Sequence, residues 1–210
     1  MNRSKLIVFS IFIALVFMSC SCAVSHKQLS LNSIEISDSI RYSEEIIITY
    51  SDTNILLNSD NSRYAKKAKR KNLQLIPICV QNYSSDTFFI EKNHTDVFID
   101  FEPAFLLEKE DYYKKIKQHP VYYTIGIFIA IVYYFPPTNM GIQFFPQNPT
   151  GLFIPWGIYS IIKAKKANKL LFVDLEKFDL FNKKIPPEES LCGFICVKSE
   201  KSGNLLIRFK

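Results

Sequence analysis

Residues 73–80 read Leu-Gln-Leu-Ile-Pro-Ile-Cys-Val, a run that is apolar at nearly every position. In an extended chain its apolar side chains fall on both alternating faces, which is typical of a strand buried on both sides. Pro77 has no backbone N–H to donate, so we predict a sheet edge or a bulge at that residue. We expect this strand to organise the rest of the fold.

Short apolar, β-branched segments lie on both sides of this strand, and turn-forming residues separate them. They are Ile34–Ile40, Ile46–Tyr50, Phe88–Ile90, Val97–Phe101, Leu191–Val197 and Leu205–Phe209. About seven short strands at roughly ten-residue spacing favour a sandwich of antiparallel sheets. We therefore predict a mainly β protein, an antiparallel immunoglobulin-like β-sandwich, into which a hydrophobic helical hairpin is inserted.

The middle of the chain has a different composition. Val121–Ile162 contains no Asp, Glu, Lys, Arg or His across forty-two residues. Two apolar runs, Val121–Phe135 and Gly151–Ile162, flank a connector that begins with Pro136-Pro137. We predict a charged helix over Glu108–Gln118 and one long helix over Trp156–Lys177, because Pro155 suits a first helical turn.

Two interpretations of this charge-free middle remain open. A helix of fifteen residues is about 22 Å long, whereas the hydrocarbon core of a bilayer is about 30 Å thick. The runs would then form either a helical hairpin packed on the sandwich or a hairpin that dips into a membrane. Flanking lysines, together with Tyr122-Tyr123 and Tyr133-Tyr134 at the ends of the first run, are typical of a membrane interface.

The N-terminus has the pattern of a secretory signal. Arg3 and Lys5 precede the apolar run Leu6–Met18, which would extend only about 20 Å as a helix. Phe17-Met18-Ser19-Cys20 then resembles a bacterial lipobox, and we predict lipid attachment at Cys20, with Cys22 as a second candidate. An ordinary cleaved signal and an uncleaved anchor are the alternatives.

A lipid on Cys20 would anchor the protein stably in a membrane, because it carries more acyl chains than stable anchoring requires. The residues that follow have no acidic run, which favours the periplasmic side of a bacterial envelope. The predicted organisation is a lipoprotein signal peptide over 1–19, a tether over 20–30, the first part of the sandwich over 31–103, the helical insert over 104–177 and the last strands over 178–210.

A basic run precedes the central strand. Six positive charges and no acidic residue fall within nine positions, at Arg63, Lys66, Lys67, Lys69, Arg70 and Lys71. The run could form a solvated helical turn or bind anionic lipid headgroups, to which each Lys or Arg contributes about 1 kcal/mol. Nucleic acid binding conflicts with export, so we predict no nucleic acid partner.

The sequence contains no recognisable catalytic or metal-binding motif. His26, His94 and His119 share no motif with a nucleophile, and neither a phosphate-binding loop nor a dinucleotide fingerprint occurs. Asp52-Thr53-Asn54 begins like a calcium loop but lacks the required glycine and glutamate. We therefore predict no enzymatic activity, no metal and no cofactor.

Three cysteines follow the predicted tether, at positions 79, 192 and 196. On one strand, Cys192 and Cys196 would lie about 13 Å apart, too far for a disulfide between them. Cys79 could bridge to either one in an oxidising compartment. The alternative, which we favour, is three small buried thiols.

Four segments together resemble uncharacterised small lipoproteins of Bacteroides-type bacteria. They are Arg63-Tyr64-Ala65-Lys66-Lys67-Ala68, Leu73–Asn82, Ala167-Asn168-Lys169 and residues 185–195, Ile-Pro-Pro-Glu-Glu-Ser-Leu-Cys-Gly-Phe-Ile. The resemblance implies a β-sandwich with a hydrophobic helical insert and an envelope location, and it implies no activity. The last segment also looks like the penultimate strand of immunoglobulin-like modules.

The charge balance supports a membrane surface as the partner. The chain has 26 basic and 20 acidic residues, and without residues 1–19 and 63–71 it has 18 basic residues against 20 acidic. We predict a membrane-anchored envelope lipoprotein with a structural or interaction role toward an unknown envelope protein. The alternative is a module that binds an apolar or lipid-like ligand between the insert and the sheet.

Overall fold

The computed structural model describes residues 23–31, 38–41, 43, 45–51, 54–124, 153–200 and 203–209. The predicted signal peptide and Cys20 lie outside the described residues, as does most of the first apolar run. The chain divides into two compact units. The smaller comprises residues 1–25 and 118–168, and the larger comprises residues 26–117 and 169–210.

Within the described residues, nine strands belong to the larger unit. They are β1 (Asp38–Arg41), β2 (Ile46–Tyr50), β3 (Leu73–Asn82), β4 (Phe88–Ile90), β5 (Thr95–Ile99), β6 (Glu102–Leu107), β7 (Lys183–Ile185), β8 (Ser190–Lys198) and β9 (Leu205–Phe209). Seven form one sheet in the order β1-β2-β3-β8-β6-β5-β9, and β4 pairs with β7. Every one of these pairings is antiparallel, which confirms the mainly antiparallel β prediction. Strand β6 extends to Leu107, so the prediction that the insert begins at residue 104 was wrong.

Strand β3 is buried on both faces, as its sequence predicted. Ile76, Ile78 and Val80 belong to one hydrophobic core, whereas Leu73 and Leu75 belong to a second core on the opposite face. The first core joins side chains from strands on both sides of β3 and from β5 and β9. Strand β3 therefore separates the two cores of the larger unit.

The prediction of an edge or a bulge at Pro77 was wrong. Strand β3 lies between β2 and β8, and its register with β8 is unbroken from Leu73 to Gln81. The Pro77 carbonyl accepts a hydrogen bond from the Ser51 N–H at 3.3 Å, directly after β2 ends at Tyr50. Because the N and O atoms of one strand residue point to the same side, the missing Pro77 N–H faces Ser51, directly beyond the end of β2, and no bond to β8 is lost.

Four helices have bounds within the described residues: α1 (Ile55–Asn58), α2 (Ser62–Arg70), α3 (Lys109–Ile116) and α4 (Phe153–Lys177). The predicted helices over Glu108–Gln118 and Trp156–Lys177 are confirmed, and Pro155 lies in the first turn of α4. Helix α4 contributes residues up to Asn168 to the smaller unit and its remaining residues to the larger one. Within the described residues, no helix is long and apolar enough to span a bilayer.

The second core lies between the β3–β8 face and the helices. It joins Tyr64 of α2, Tyr112 of α3 and Leu171 of α4 to Phe194 of β8. Tyr64, Tyr112 and Leu171 are fully buried. The helices of the larger unit are thus held by burial of one apolar side each, which is the main source of helix stability in proteins.

Gly193 permits a close approach between β8 and the residues that follow α4. The Phe194 N–H donates to the Phe178 carbonyl at 2.7 Å. A Cβ atom on residue 193 would lie 2.3 Å from that carbonyl oxygen and 2.6 Å from Leu180 Cγ. Residue 193 is therefore glycine because a side chain would not fit between β8 and the Phe178 carbonyl.

Candidate functional site

The N-terminal segment 26–31 is part of the folded larger unit. The His26 Nε2 atom lies 2.7 Å from Asp174 Oδ2, and the Leu29 N–H donates to the same oxygen at 2.9 Å. The two side chains of the pair are only 1% and 8% exposed. The predicted tether over 20–30 is therefore corrected from His26 onward, because these residues are bonded to a helix and buried.

Asn61 binds the backbone of the same segment. Its Oδ1 accepts from the Lys27 N–H at 2.9 Å, and its Nδ2 donates to the Lys27 carbonyl at 2.8 Å. Asn61 directly precedes α2, where an asparagine normally caps the helix, yet its side chain makes no capping bond. This amide pairs with both backbone groups of one residue, as a neighbouring strand would.

Apolar and aromatic contacts complete the docking of the segment. The His26 ring meets the Tyr64 ring edge-on at 5.9 Å between centroids, and Leu29 is fully buried in the second core. His26 Nδ1 is buried and has no hydrogen-bond partner among the described residues. We define residues 26–31 with their partners Asn61, Tyr64 and Asp174 as the N-terminal clasp.

The smaller unit uses the same kind of bond. Gln118 Nε2 donates to the Val24 carbonyl at 2.8 Å, and its Oε1 accepts from the Val24 N–H at 3.3 Å. The Gln118 backbone is bound in turn by Asn168, through bonds of 2.8 and 2.7 Å. Side-chain amides thus fix Val24 in this unit as Asn61 fixes Lys27 in the other.

The basic run forms α2, which has one buried and one solvent-facing side. Tyr64, Ala65 and Ala68 are buried. Lys66, Lys69 and Arg70 are exposed, and among the described residues no acidic side chain forms an ion pair with these three. We call these three residues the basic face.

Lys67 and Lys71 have an internal role instead. The Lys67 Nζ donates to the Lys117 carbonyl, and the Lys71 Nζ donates to the Lys115 carbonyl at 2.8 Å. These carbonyls lie at the C-terminus of α3, where a helix has unpaired acceptors and a partial negative charge. Burial lowers the pKa of Lys67, and the charges of Arg63 and Lys71 lower it further. The predicted basic residues therefore differ in role. Lys67 and Lys71 bind carbonyls of α3, whereas Lys66, Lys69 and Arg70 face the solvent.

Cys79 and Cys192 form a disulfide between β3 and β8. The two residues are direct partners in the register, and their Cα atoms lie 4.0 Å apart. The favoured interpretation of three unpaired thiols was therefore wrong, and the bridge from Cys79 that was left open is present. Cys196 is free and fully buried, and desolvation raises the pKa of its thiol.

A shallow cleft of about 350 Å³ lies beside β5 and β6. It is lined by charged and aromatic side chains that include Lys92, Asp96, Phe98 and Phe105, of which Phe105 is 71% exposed. Among the described residues, no group of three or more His, Cys, Asp or Glu side chains could hold a metal ion. The cleft supplies no constellation to which a reaction could be assigned.

No protein-family model, no curated protein and no solved structure matches this chain. The clasp, the basic face and the disulfide are therefore the features on which a functional proposal rests.

Proposed function

We propose that this protein is a non-enzymatic lipoprotein of a bacterial envelope, anchored by lipid on Cys20 and facing the periplasm, with a structural or interaction role. The observation that carries the proposal is the Cys79–Cys192 disulfide. Disulfides persist in oxidising compartments outside the cytosol and are rare inside it. This support for export is independent of the N-terminal signal pattern and of the resemblance to envelope lipoproteins.

The N-terminal clasp supports a short connection between the lipid and the folded unit. Only six residue steps separate Cys20 from His26, and six extended steps reach at most about 20 Å. A protein whose lipid is attached there stays close to its own leaflet. Such a position suits an interaction partner in or on the same membrane.

Exposed apolar side chains of the smaller unit support a contact between the segment Val121–Ile162 and the membrane interface. Tyr122, Tyr159 and Ile162 are each exposed by more than half, and the Lys163 Nζ lies 5.9 Å from the centre of the Tyr159 ring. Aromatic rings with adjacent lysines are typical of membrane interfaces. We propose that these residues form an interfacial element of an inserted helical hairpin.

We further propose that the strands form an immunoglobulin-like sandwich. Residues of β2, β3 and β8 share one core with residues of β5 and β9. Two groups of strands that face one another across a common core are the arrangement of such a sandwich. In a sandwich the two groups would form separate sheets, whereas here the pairing of β6 with β8 connects them.

Mass spectrometry of the protein purified from envelopes of the expressing bacterium tests the anchor. We expect a mature chain that begins at Cys20 and carries a diacylglycerol and an acyl chain. The Cys20→Ala variant should lose this modification, whereas the Cys22→Ala control should keep it. An unmodified mature chain that begins elsewhere would contradict the proposed function.

A further inference from the structure

The N-terminal clasp brings the lipid-bearing end of the chain to the start of α2. Lys27 pairs with Asn61 directly before the helix, and the His26 ring rests on Tyr64 in its first turn. Because Cys20 is six residue steps from His26, the covalent chain limits the distance between these two residues to about 20 Å. The lipid of the proposed anchor is therefore tied to this helix.

The solvent-facing side of α2 is uniformly positive. Lys66, Lys69 and Arg70 are exposed, and no acidic residue occurs in the helix. Among the acidic side chains nearest in sequence to α2 and around the start of α3, Asp60 bonds the Lys27 Nζ, Glu108 bonds the Lys92 Nζ and Asp111 bonds the Lys114 Nζ. The positive charge of the basic face is therefore left for a partner.

The contacts of Lys67 and Lys71 enlarge this positive surface. By binding carbonyls of residues 117 and 115, they hold the C-terminal end of α3 beside α2. The last turn of α3 adds Lys115, whereas Lys114 is paired with Asp111. Cations from two helices thus lie together in the larger unit.

We propose that the basic face binds the phosphate headgroups of anionic phospholipids in the leaflet that holds the protein's own lipid. This inference rests on the proposed lipid anchor for its geometry and on charge complementarity for its chemistry. Each Lys or Arg close to an anionic bilayer strengthens binding about five-fold, and the effect falls off over a Debye length of about 8 Å. The clasp limits how far the lipid can lie from α2, because only six residue steps, about 20 Å when extended, join Cys20 to His26.

A vesicle-binding experiment isolates the basic face from the lipid. The full mature chain with Cys20→Ala and Cys22→Ala, exported by a cleavable signal, is mixed with vesicles of phosphatidylcholine alone or with phosphatidylglycerol. The Lys66→Gln, Lys69→Gln, Arg70→Gln variant is compared with a control of equal charge, Lys177→Gln, Lys184→Gln, Arg208→Gln, whose residues are also exposed. Formation of the Cys79–Cys192 disulfide verifies that each variant folds.

We expect the basic-face variant to lose about 100-fold in partitioning onto the phosphatidylglycerol vesicles, whereas the control loses less than about five-fold. Added salt should weaken binding of the parent chain to these vesicles. The Lys67→Gln, Lys71→Gln variant should be less stable but should still bind headgroups through the basic face. Equal losses in the two triple variants, or equal binding to both vesicle types, would overturn the proposal. Mass spectrometry tests the lipid anchor separately, so either proposal can be contradicted without the other.

Discussion

His26 Nε2 lies 2.7 Å from Asp174 Oδ2, although 148 positions separate the two residues. The same oxygen accepts the Leu29 N–H, so one carboxylate holds both a ring and a backbone amide of the N-terminal segment. Both side chains of this hydrogen bond are buried, so breaking it would leave polar atoms without a partner, which costs free energy. The segment is thereby part of the folded larger unit.

The Asp174→Ala variant should lower the free energy of unfolding by about 2–4 kcal/mol, because it leaves the buried His26 nitrogen and Leu29 amide without an acceptor. Urea unfolding measures this loss, and hydrogen exchange of the Leu29 amide reports the clasp directly. The control Lys27→Ala removes only an exposed ion pair and should change little. Exchange of the Leu29 amide at the rate of an unstructured chain in the parent protein would contradict the clasp.

The Gly193→Ala variant should lose at least about 1–3 kcal/mol of stability, because the added methyl group collides with the Phe178 carbonyl oxygen. Thermal or urea unfolding provides the measurement. Ser190→Ala in the same strand removes an exposed side chain and should change the stability by less than about 0.5 kcal/mol. Equal stability of the two variants would contradict the close approach of the Phe178 carbonyl to Gly193.

The disulfide predicts a specific peptide map. Digestion without reduction should recover the Cys79 peptide linked to the Cys192 peptide, with Cys196 as a free thiol. Because the bridge spans 113 positions, its loss should cost up to about 4–5 kcal/mol by the loop-entropy relation. Alkylation of all three cysteines in unreduced, unfolded protein would show that the bridge does not form and would remove the main support for export.

Alkaline pH should destabilise the fold through Cys196 and Tyr112. Burial raises the pKa of both groups, and the Cys196 charge adds to the effect on Tyr112. Above about pH 9 the unfolded chain releases these protons while the folded chain keeps them, so stability falls as the pH rises.

Urea unfolding at pH values near 7.5 and 10 checks this dependence. The Cys196→Ala and Tyr112→Phe double variant should lose less stability over that interval than the parent chain. The lowered pKa of Lys67 acts in the opposite direction, and it is common to both proteins, so it cancels in the comparison. An identical pH dependence in parent and variant would contradict the buried state of the two groups.

The features that sequence reasoning recovered are local in origin. Leu73–Val80 has apolar residues at both odd and even positions. Because side chains of a strand alternate between its two faces, burial of both faces of β3 follows. Glu108–Gln118 and Trp156–Lys177 contain strong helix formers without an interior proline, and helices occupy both segments.

The features that sequence reasoning missed depend on long-range placement. The position of Pro77 depends on where β2 ends, which no local pattern shows. Asn61 has the sequence position of a helix cap, yet it binds the distant Lys27 backbone. His26 was assigned to a tether because its partner Asp174 is remote, although the apolar residue Leu29 three positions later was a signal that the segment is docked.

In the proposed arrangement, the clasp holds the basic face of α2 at the membrane in which the Cys20 lipid would be anchored. Strand β3 provides a control position, because its ten residues extend about 30 Å from the end of α2 to Asn82. The Asn82 side chain binds the Ile185 carbonyl, so the neighbouring exposed Lys184 lies near this far end.

A spin label is attached at Lys69→Cys or Lys184→Cys, and the lipidated protein is reconstituted in vesicles whose headgroups bear a relaxing metal chelate. Relaxation of each label measures its distance to the leaflet. A Cys22→Ser background removes the cysteine beside the lipidated position, and the free Cys196 is buried. We predict strong relaxation of the label at position 69 and weak relaxation at position 184. Equal relaxation at the two positions, or stronger relaxation at position 184, would show that α2 does not face the membrane.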